Sequence, residues 1–336
     1  VRAGLQPELS TTGVTDGATF FVALGATVDL TVGWAGEAGY YDGEVATYSY
    51  SLNGATPTVT TEDEYTFVGL VEGAYTVDVT CTDIAGNVQS TSITFGITVP
   101  TLTKEVLVVN GVSWATYGPA DLAQLDISYP VYFVTDNADT WDYWEIMPGA
   151  PADYVAFGMD VNVVGTGTPT GADLGEYKSV LWMGQNYQGD LDSWNAALMA
   201  GYVNAGGKLY FYGRRTPVFI DADLMEMAHI TGFLADGGGS FCTGYDLTAA
   251  GSALGLQPAA VLTTSWGNGI TGIEDSPDVE ALFTDPGDAT QINGIRAKSP
   301  GSSDWNIISV TGRNYRADPP AAMAENIRKL LRDTFG

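Results

Sequence analysis

The hydrophobic pattern of the chain changes near residue 100, and this change constrains the fold more than any other feature. Before it, apolar and polar residues alternate in short segments such as 28–34 and 74–81, a period of two that is typical of strands with one buried face. After it, the run 105–110 is continuously apolar, as in strands buried on both faces of a parallel sheet. The 336 residues are long for one core, so we expect two domains.

The first half predicts an all-β sandwich over residues 15–100, preceded by an N-terminal tail over 1–14. The clearest strands are 28–34, 46–52, 64–67, 74–81 and 90–95, and Asn53 with Gly54 is a strong hairpin signal. The stretch 70–87 resembles the late strands of bacterial immunoglobulin-like repeats. In that resemblance Gly73 and Tyr75 take the place of a tyrosine-corner strand, and residues 83–87 form the following turn.

The second half predicts an α/β domain over 104–336 with a doubly wound, mostly parallel sheet. Its predicted strands are 105–110, 160–164, 179–183, 209–212 and 307–310. Two apolar stripes at helical spacing lie between or after them: Leu191, Trp194, Leu198 and Tyr202, with Asp190 as the cap, and then Met323, Ile327, Leu330, Leu331 and Phe335. An insertion near 111–150 and a glycine-rich region near 236–304 interrupt the pattern.

The composition is strongly acidic, with 40 Asp and Glu against 13 Lys and Arg and a formal net charge of −27. The negative electrostatic field of such a chain repels phosphate backbones and anionic lipid surfaces, so we expect neither nucleic acid nor a membrane as a partner. The same field favours binding of cations such as calcium. The mix is usual in secreted surface proteins. A chain that starts at Val1 is compatible with an extracellular or cell-surface protein whose signal peptide has been removed.

The second half also resembles the class I glutamine amidotransferase-like (flavodoxin-like) domains of secreted bacterial proteins. The matching segments are 106–110, 174–184, 198–213 and 307–335. The family places a cysteine nucleophile at the elbow after the strand that matches 209–212, and a histidine after a later strand. This chain has Gly213 and Arg214 at the first place and 311–315 without histidine at the second, so the resemblance implies a domain without catalytic residues, not an enzyme.

A cysteine hydrolase built from Cys242 and His229 is the weaker alternative, because 237–242 is not a strand-to-helix turn. Cys81 lies on the same predicted face as Tyr75, Val77 and Val79. We therefore expect Cys81 to be a buried free thiol in preference to a disulfide with Cys242.

Three candidate sites follow. The carboxyl edge of a parallel sheet is the usual place for a ligand, and there Asn110, Ser113, Gln185, Arg214 and Arg215 would hold a carboxylate, a phosphate or a carbohydrate. Ion pairs between the arginines and nearby acids are the alternative.

The second candidate is a calcium site. Asp136, Asp139 and Asp142 would hold the ion, or Asp83 and Asn87 would. The alternative is that these residues stabilise turns and helix caps.

The third candidate is an interface. Trp114, Tyr117, Trp141 and Trp144 are aromatic residues of the insertion, and Val1, Leu5 and Leu9 lie in a tail that we expect to be either disordered or docked on a neighbouring copy. A lid over the sheet edge is the alternative for the aromatic residues.

The sequence therefore predicts a non-enzymatic, extracellular structural protein that acts in adhesion or self-assembly, with copies of itself or other surface proteins as partners. A carbohydrate- or anion-binding module is the alternative from another class. A pair of accessory domains from a larger secreted hydrolase is a third.

Overall fold

A computed structural model of the chain divides into two compact units, residues 1–99 and 100–336. It describes all residues except 1–5, 40–41, 113–122, 124, 126, 129–130, 133–140, 147–161, 185–187, 192–193, 215, 235–240, 268 and 336. Within the described residues, no helix is long and apolar enough to cross a membrane. Ser113, Trp114, Tyr117, Asp136, Asp139, Gln185, Arg215, Val1 and Leu5 lie outside the described residues.

The first unit is a sandwich of two sheets. Its strands are β1 (Glu8–Thr12), β2 (Ala18–Phe21), β3 (Val28–Glu37), β4 (Val45–Leu52), β5 (Thr58–Thr60), β6 (Glu64–Leu70), β7 (Gly73–Asp83) and β8 (Val88–Thr98). One sheet has the order β1-β3-β6, and the other has the order β2-β8-β7-β4-β5. All pairings in them are antiparallel except that of β2 with β8.

Alternation along the strands decides which side chains fill the core of this unit. On β7, Val77, Val79 and Cys81 are fully buried while the residues between them are more exposed. Cys81 is a free thiol, as the sequence predicts. Asn53 and Gly54 both have positive φ, 51° and 69°, which is the geometry of the tight hairpin turn that their sequence predicts.

The tyrosine corner is present. The Tyr75 hydroxyl donates to the Val71 carbonyl oxygen at 2.9 Å and accepts from the Val71 N–H at 3.2 Å. This bond ties the start of β7 to the preceding corner, which is the place that the sequence assigns to it.

The predicted tail over residues 1–14 is wrong for residues 8–12. They form β1, which pairs in register with β3, and Leu9 packs against the core of its own unit. Five residues of alternating character were enough to extend the sheet by one strand. Leu9 therefore contributes to the packing of the sandwich, and its docking on a neighbour stays a prediction.

The second unit contains one large mixed sheet and short helices. Its strands are β9 (Lys104–Asn110), β10 (Trp141–Glu145), β11 (Asn162–Thr166), β12 (Tyr177–Gly184), β13 (Lys208–Gly213), β14 (Ile230–Phe233), β15 (Phe241–Leu247), β16 (Ala259–Trp266), β17 (Ile270–Ile273), β18 (Val279–Asp285), β19 (Asp288–Ala297), β20 (Ile307–Thr311) and β21 (Ala317–Asp318). Its described α-helices are α1 (Gly171–Gly175), α2 (Gln188–Leu191), α3 (Ala196–Asn204), α4 (Thr216–Phe219), α5 (Ala222–Met227), α6 (Ala249–Ala253) and α7 (Pro320–Lys329). A 3-10 turn (Asn314–Arg316) and a π-helical turn (Leu330–Thr334) complete them.

Half of the sheet is parallel. The strands β11, β10, β9, β12, β13 and β20 lie side by side in that order, each parallel to its neighbour. The inner strands are buried along nearly their whole length, which accounts for their continuous apolar sequences.

The other half corrects the prediction of a mostly parallel sheet. Next to β20 the order continues as β19-β18-β15-β16-β21, and every pairing there is antiparallel. The glycine-rich region near 236–304, which the sequence treats as an interruption, supplies most of these strands. The register shifts in the pairings of β18 with β19 and of β15 with β16, so clean alternation is lost and the strands escape a search by period.

The insertion near 111–150 is also corrected in part. Residues 141–145 form β10, which pairs in parallel with β9 and β11. Trp141 packs against the core, and the Trp144 indole N–H donates to the Gly167 carbonyl oxygen at 2.6 Å. The two tryptophans are therefore half-buried residues of the sheet, and their place at an interface stays a prediction.

The helix after β12 starts later than predicted. Asn195 caps α3 by accepting from the Leu198 N–H at 3.0 Å, so the cap is Asn195 instead of Asp190. The final helix agrees with its stripe, since Met323, Ile327 and Leu330 are buried against the sheet.

Candidate functional site at the carboxyl edge of the parallel sheet

Four parallel strands end level with one another at one edge of the sheet. The register places Asn110 beside Met183, Gly184 beside Gly213, and Gly213 beside Thr311. Residues that follow β9, β12, β13 and β20 are thereby brought to the same edge, which is where open α/β sheets bind ligands.

The elbow after β13 holds an arginine in place of a nucleophile. Arg214 lies in the turn between β13 and α4, and its Nε is buried. A side chain at Gly213 would bring its Cβ within 2.4 Å of Phe211 Cζ. The turn between β13 and α4 thus places Arg214 where the sequence resemblance implies a nucleophile.

Asn110 is engaged by an acid that the sequence analysis missed. Its Nδ2 donates to Glu145 Oε2 at 3.2 Å, and its Oδ1 accepts from the Val112 N–H at 3.4 Å; both side chains are buried. Glu145 is the last residue of β10. Its position after an aromatic strand was the available signal, but it depended on recognising residues 141–145 as part of the sheet.

Two further charged residues at this edge were not singled out in the sequence. Arg313 follows β20, and its Nη1 donates to the Tyr315 hydroxyl at 3.1 Å. Asp190, in α2 after β12, is fully buried. Arg214, Arg313, Glu145 and Asp190 therefore bring both signs of charge to one sheet edge, each from the loop or strand end next to it.

Cys242 has the environment of an inert thiol. It is fully buried in β15, with Sγ 3.8 Å from the carbonyl oxygens of Gly244 and Thr311. Burial raises the pKa of the Cys242 thiol to about 12. Since the thiolate is the nucleophilic form, Cys242 is protonated and unreactive at neutral pH.

His229 is held by oxygen atoms on both sides of its ring. It lies after α5 with φ of 55°, and its side chain is 12% exposed. Its Nδ1 is 2.6 Å from Glu274 Oε2, and its Nε2 is 2.9 Å from the Lys298 carbonyl oxygen. Only the imidazolium carries a proton on each nitrogen, so this geometry favours the charged ring over a general base.

We therefore expect stability to depend on the protonation of His229. Burial by itself lowers the pKa of this ring, but Glu274, the Lys298 carbonyl and Asp278 outweigh it and raise the pKa above 6.5. The stabilising contribution is fully present below pH 6.5 and is lost as the pH rises through the folded-state pKa.

The measurement is the melting temperature of the wild type and of His229→Gln across this range. The difference between the two proteins should be largest in acid and should shrink at alkaline pH, where the ring of the wild type is neutral. A difference that stays constant with pH would show that the ring acts by packing alone. The ammonium of Lys298 lies 3.5 Å from Asp278 Oδ1.

The proposed calcium ligands have other hydrogen-bond partners. Asp83 accepts from the Ala85 and Asn87 N–H groups and from Asn87 Nδ2, all within 2.9 Å. Burial disfavours its charge, but these hydrogen bonds outweigh burial and hold the pKa of Asp83 below its ordinary value. Asp142 accepts from Asn162 and Tyr177 at 2.6 Å. Within the described ranges, no three His, Cys, Asp or Glu residues group as metal ligands.

Comparison with known proteins adds partial similarities. No protein-family model matches the chain, and no curated protein matches it. The fibronectin(III)-like modules of CbhA from Clostridium thermocellum are 14% identical with a TM-score of 0.23, over 29% of this chain and 48% of that one, so the chain spans about half of that length. The PKD1 domain of Epp from Vibrio anguillarum is 22% identical with a TM-score of 0.21, over 28% and 96%. A 2,6-sialyltransferase from Photobacterium is 10% identical with a TM-score of 0.21, over 59% and 41%.

Similarities at these TM-scores carry no argument about function. The first unit is an immunoglobulin-like sandwich on its own geometry, because β1-β3-β6 and β2-β8-β7-β4-β5 face each other across one core and β7 starts with a tyrosine corner.

Proposed function

We propose that the chain is a non-enzymatic, extracellular structural protein that acts in adhesion or self-assembly. It would join an immunoglobulin-like sandwich to an amidotransferase-like domain without catalytic residues. The six parallel strands β11-β10-β9-β12-β13-β20, numbered along the chain, have the order 3-2-1-4-5-6 of doubly wound α/β sheets. This order supports an open α/β domain for the second part, and the amidotransferase-like assignment within that class rests on the matched sequence segments.

The residues in the turn after β13 and around Cys242 and His229 support the proposal that the protein is not an enzyme. Gly213 and Arg214 stand where a nucleophile would be required, Cys242 is buried and protonated, and His229 is held by Glu274. An acyl-transfer mechanism needs a nucleophile and a base within hydrogen-bond reach of each other.

The observation that carries self-assembly is the open edge of β6. This strand pairs with β3 on one side, and in the described part of the chain no strand pairs with its other side. Val68 on this strand is 69% exposed, and Val71 just beyond it is also exposed. An exposed edge with apolar side chains is a template for an added strand from another molecule.

The test compares two substitutions of similar exposure. Val68→Lys places a charge on the open edge, whereas Ile84→Lys places one in the β7–β8 turn, where Ile84 is 61% exposed. We expect the wild type and Ile84→Lys to form larger species as concentration rises, and Val68→Lys to remain a monomer, as measured by sedimentation velocity. A wild type that stays monomeric, or a Val68→Lys variant that assembles equally, would contradict the proposal.

A ligand-binding module is the second candidate. The observation that favours it is the position of Arg214 and Arg313, which follow adjacent parallel strands at the sheet edge. Guanidinium groups suit carboxylates and phosphates. The acid Glu145 on Asn110 argues against an anion at that end, so a ligand of this module would lie toward β13 and β20.

A further inference from the structure

A polar pocket lies at the opposite, amino-terminal edge of the parallel sheet. It has a volume of about 310 Å³ and opens between the turn that leads from α3 into β13 and the loop that leads into β20. Its lining is mostly polar: Asn204, Lys208, Ser299, Ser302, Asp304 and Asn306. This volume is at the small end of the range of ~300–1,000 Å³ for ligand pockets, so only a small molecule would fit.

Lys208 differs from the other four lysines. Lys104, Lys178 and Lys298 form ion pairs, and Lys329 donates to a backbone carbonyl. Within the described ranges, the Lys208 ammonium has neither an ion pair nor a hydrogen bond. In a chain with 40 acidic residues and 13 basic ones, a half-buried lysine without a carboxylate partner among the described residues is unusual.

The carboxylate in the pocket is free as well. In the described part of the chain, the side chains of Asp304 and Asn204 make no hydrogen bond, and Asp304 forms no ion pair with Lys208 although both line the pocket. The pocket therefore offers an ammonium, a carboxylate and a carboxamide without protein partners among the described residues, the last two on exposed residues.

The walls that hold these groups are fixed. Asn306 Oδ1 accepts from the Ser299 N–H at 2.8 Å, and Asn306 Nδ2 donates to Ser299 Oγ at 2.7 Å. The Ser302 hydroxyl donates to the Asp304 carbonyl oxygen at 2.8 Å. Because the loop is already ordered, a ligand would not have to order it on binding.

The charges of Lys208 and Asp304 limit which kinds of small molecule could bind in the pocket. A simple anion would be repelled by Asp304 and by the net charge of −27, and a simple cation would be repelled by Lys208. A sugar would need an aromatic face, but the nearby Trp305 ring is already covered by Arg296 at 4.1 Å and Lys298 at 4.9 Å. A molecule with both an ammonium and a carboxylate satisfies both charged groups.

We propose that this pocket binds a free α-amino acid with a small polar side chain. The Lys208 ammonium donates to its carboxylate, the Asp304 carboxylate accepts from its ammonium, and the Asn204 carboxamide contacts its side chain. The site lies away from the sheet edge discussed above and does not depend on the proposed structural role.

Calorimetric titration of the full chain with L-serine tests the proposal. N-acetyl-L-serine lacks the ammonium and L-serinamide lacks the carboxylate, so each should bind at least about tenfold more weakly than L-serine. Lys208→Met and Asp304→Asn should each lose a similar factor. Lys178→Met removes an exposed lysine that pairs with Glu105, so this variant should bind L-serine as the wild type does.

Several results would overturn the assignment. The first is that L-serine, glycine and L-alanine all fail to bind at millimolar concentration. The second is that either blocked analogue binds as tightly as L-serine. The third is that methyl glucoside binds and the amino acids do not. Undiminished binding by Lys208→Met or Asp304→Asn would do the same. Circular dichroism of each variant shows that a loss of binding is not a loss of fold.

Discussion

Replacing Asp285 by alanine is expected to destabilise the second unit by about 3 kcal/mol, because it removes the charged acceptor of several buried or partly buried hydrogen bonds. The carboxylate is 2% exposed and accepts from the Thr243 N–H at 2.7 Å, the Gly287 N–H at 2.8 Å and Asn293 Nδ2 at 2.9 Å. Alanine removes the acceptor that these donors share, and leaves Asn293 Nδ2 with the Gly244 carbonyl oxygen and the Gly287 N–H with Thr243 Oγ1. Gln291 Nε2 in turn donates to Asn293 Oδ1, so the loss spreads through the network.

Asp288→Ala is the matched control, because it removes a carboxylate from the same β18–β19 hairpin. Asp288 is exposed and accepts only from the N–H and hydroxyl of Thr290 among described residues. Its loss should cost far less than the loss of Asp285, because water replaces the carboxylate at an exposed site. Urea unfolding followed by tryptophan fluorescence reports mainly on the second unit, since Trp34 is the single tryptophan before residue 100. Equal losses for the two variants would show that the Asp285 network contributes little.

The sequence predicted the elements whose burial is regular. The strand that became β7 alternates cleanly, and those that became β9 and β13 are apolar over 106–109 and 209–212, so period and composition sufficed. Local turn chemistry was equally informative, because Asn53 and Gly54 adopt the positive φ that their identities favour. In each case the signal lies within a few residues along the chain.

The elements that were missed depend on long-range pairing. Residues 141–145 are a strand because β9 and β11 flank them, and nothing within those five residues distinguishes a sheet strand from an aromatic insertion. The strands β18 and β19 are interrupted by register shifts. Their turn signal, Asp285-Pro286-Gly287-Asp288, was nevertheless present in the sequence.

The candidate sites, too, could be predicted where they depend on local sequence and were missed where they depend on long-range pairing. Arg214 could be placed at the sheet edge because it follows a clear strand, but Glu145 could not, because its strand was not recognised. The pocket beside Lys208 was invisible in the sequence, since its walls come from segments nearly a hundred residues apart whose contact depends on the pairing of β13 with β20.

Gly312→Ala should be the most damaging substitution of a single methyl group at the sheet edge, with a loss of about 2–5 kcal/mol from backbone strain and overpacking together. Gly312 has φ of 117°, and a Cβ there would lie 2.5 Å from Tyr245 Oη and 3.0 Å from Cys242 Sγ. Tyr245 cannot move aside easily, because its buried hydroxyl is bonded to the Tyr212 hydroxyl at 2.8 Å and donates to the Thr311 carbonyl oxygen at 3.0 Å.

Gly301→Ala separates the two contributions. Gly301 also has positive φ, 83°, but a Cβ there meets no atom within 4 Å, so this variant carries the backbone strain without the overpacking and should lose about 1 kcal/mol. The difference between the two variants in urea unfolding measures the crowding around Tyr245. If Gly312→Ala loses no more than Gly301→Ala, the contact with Tyr245 is relieved by a small shift of β15, and the residue that follows β20 is free to carry a side chain.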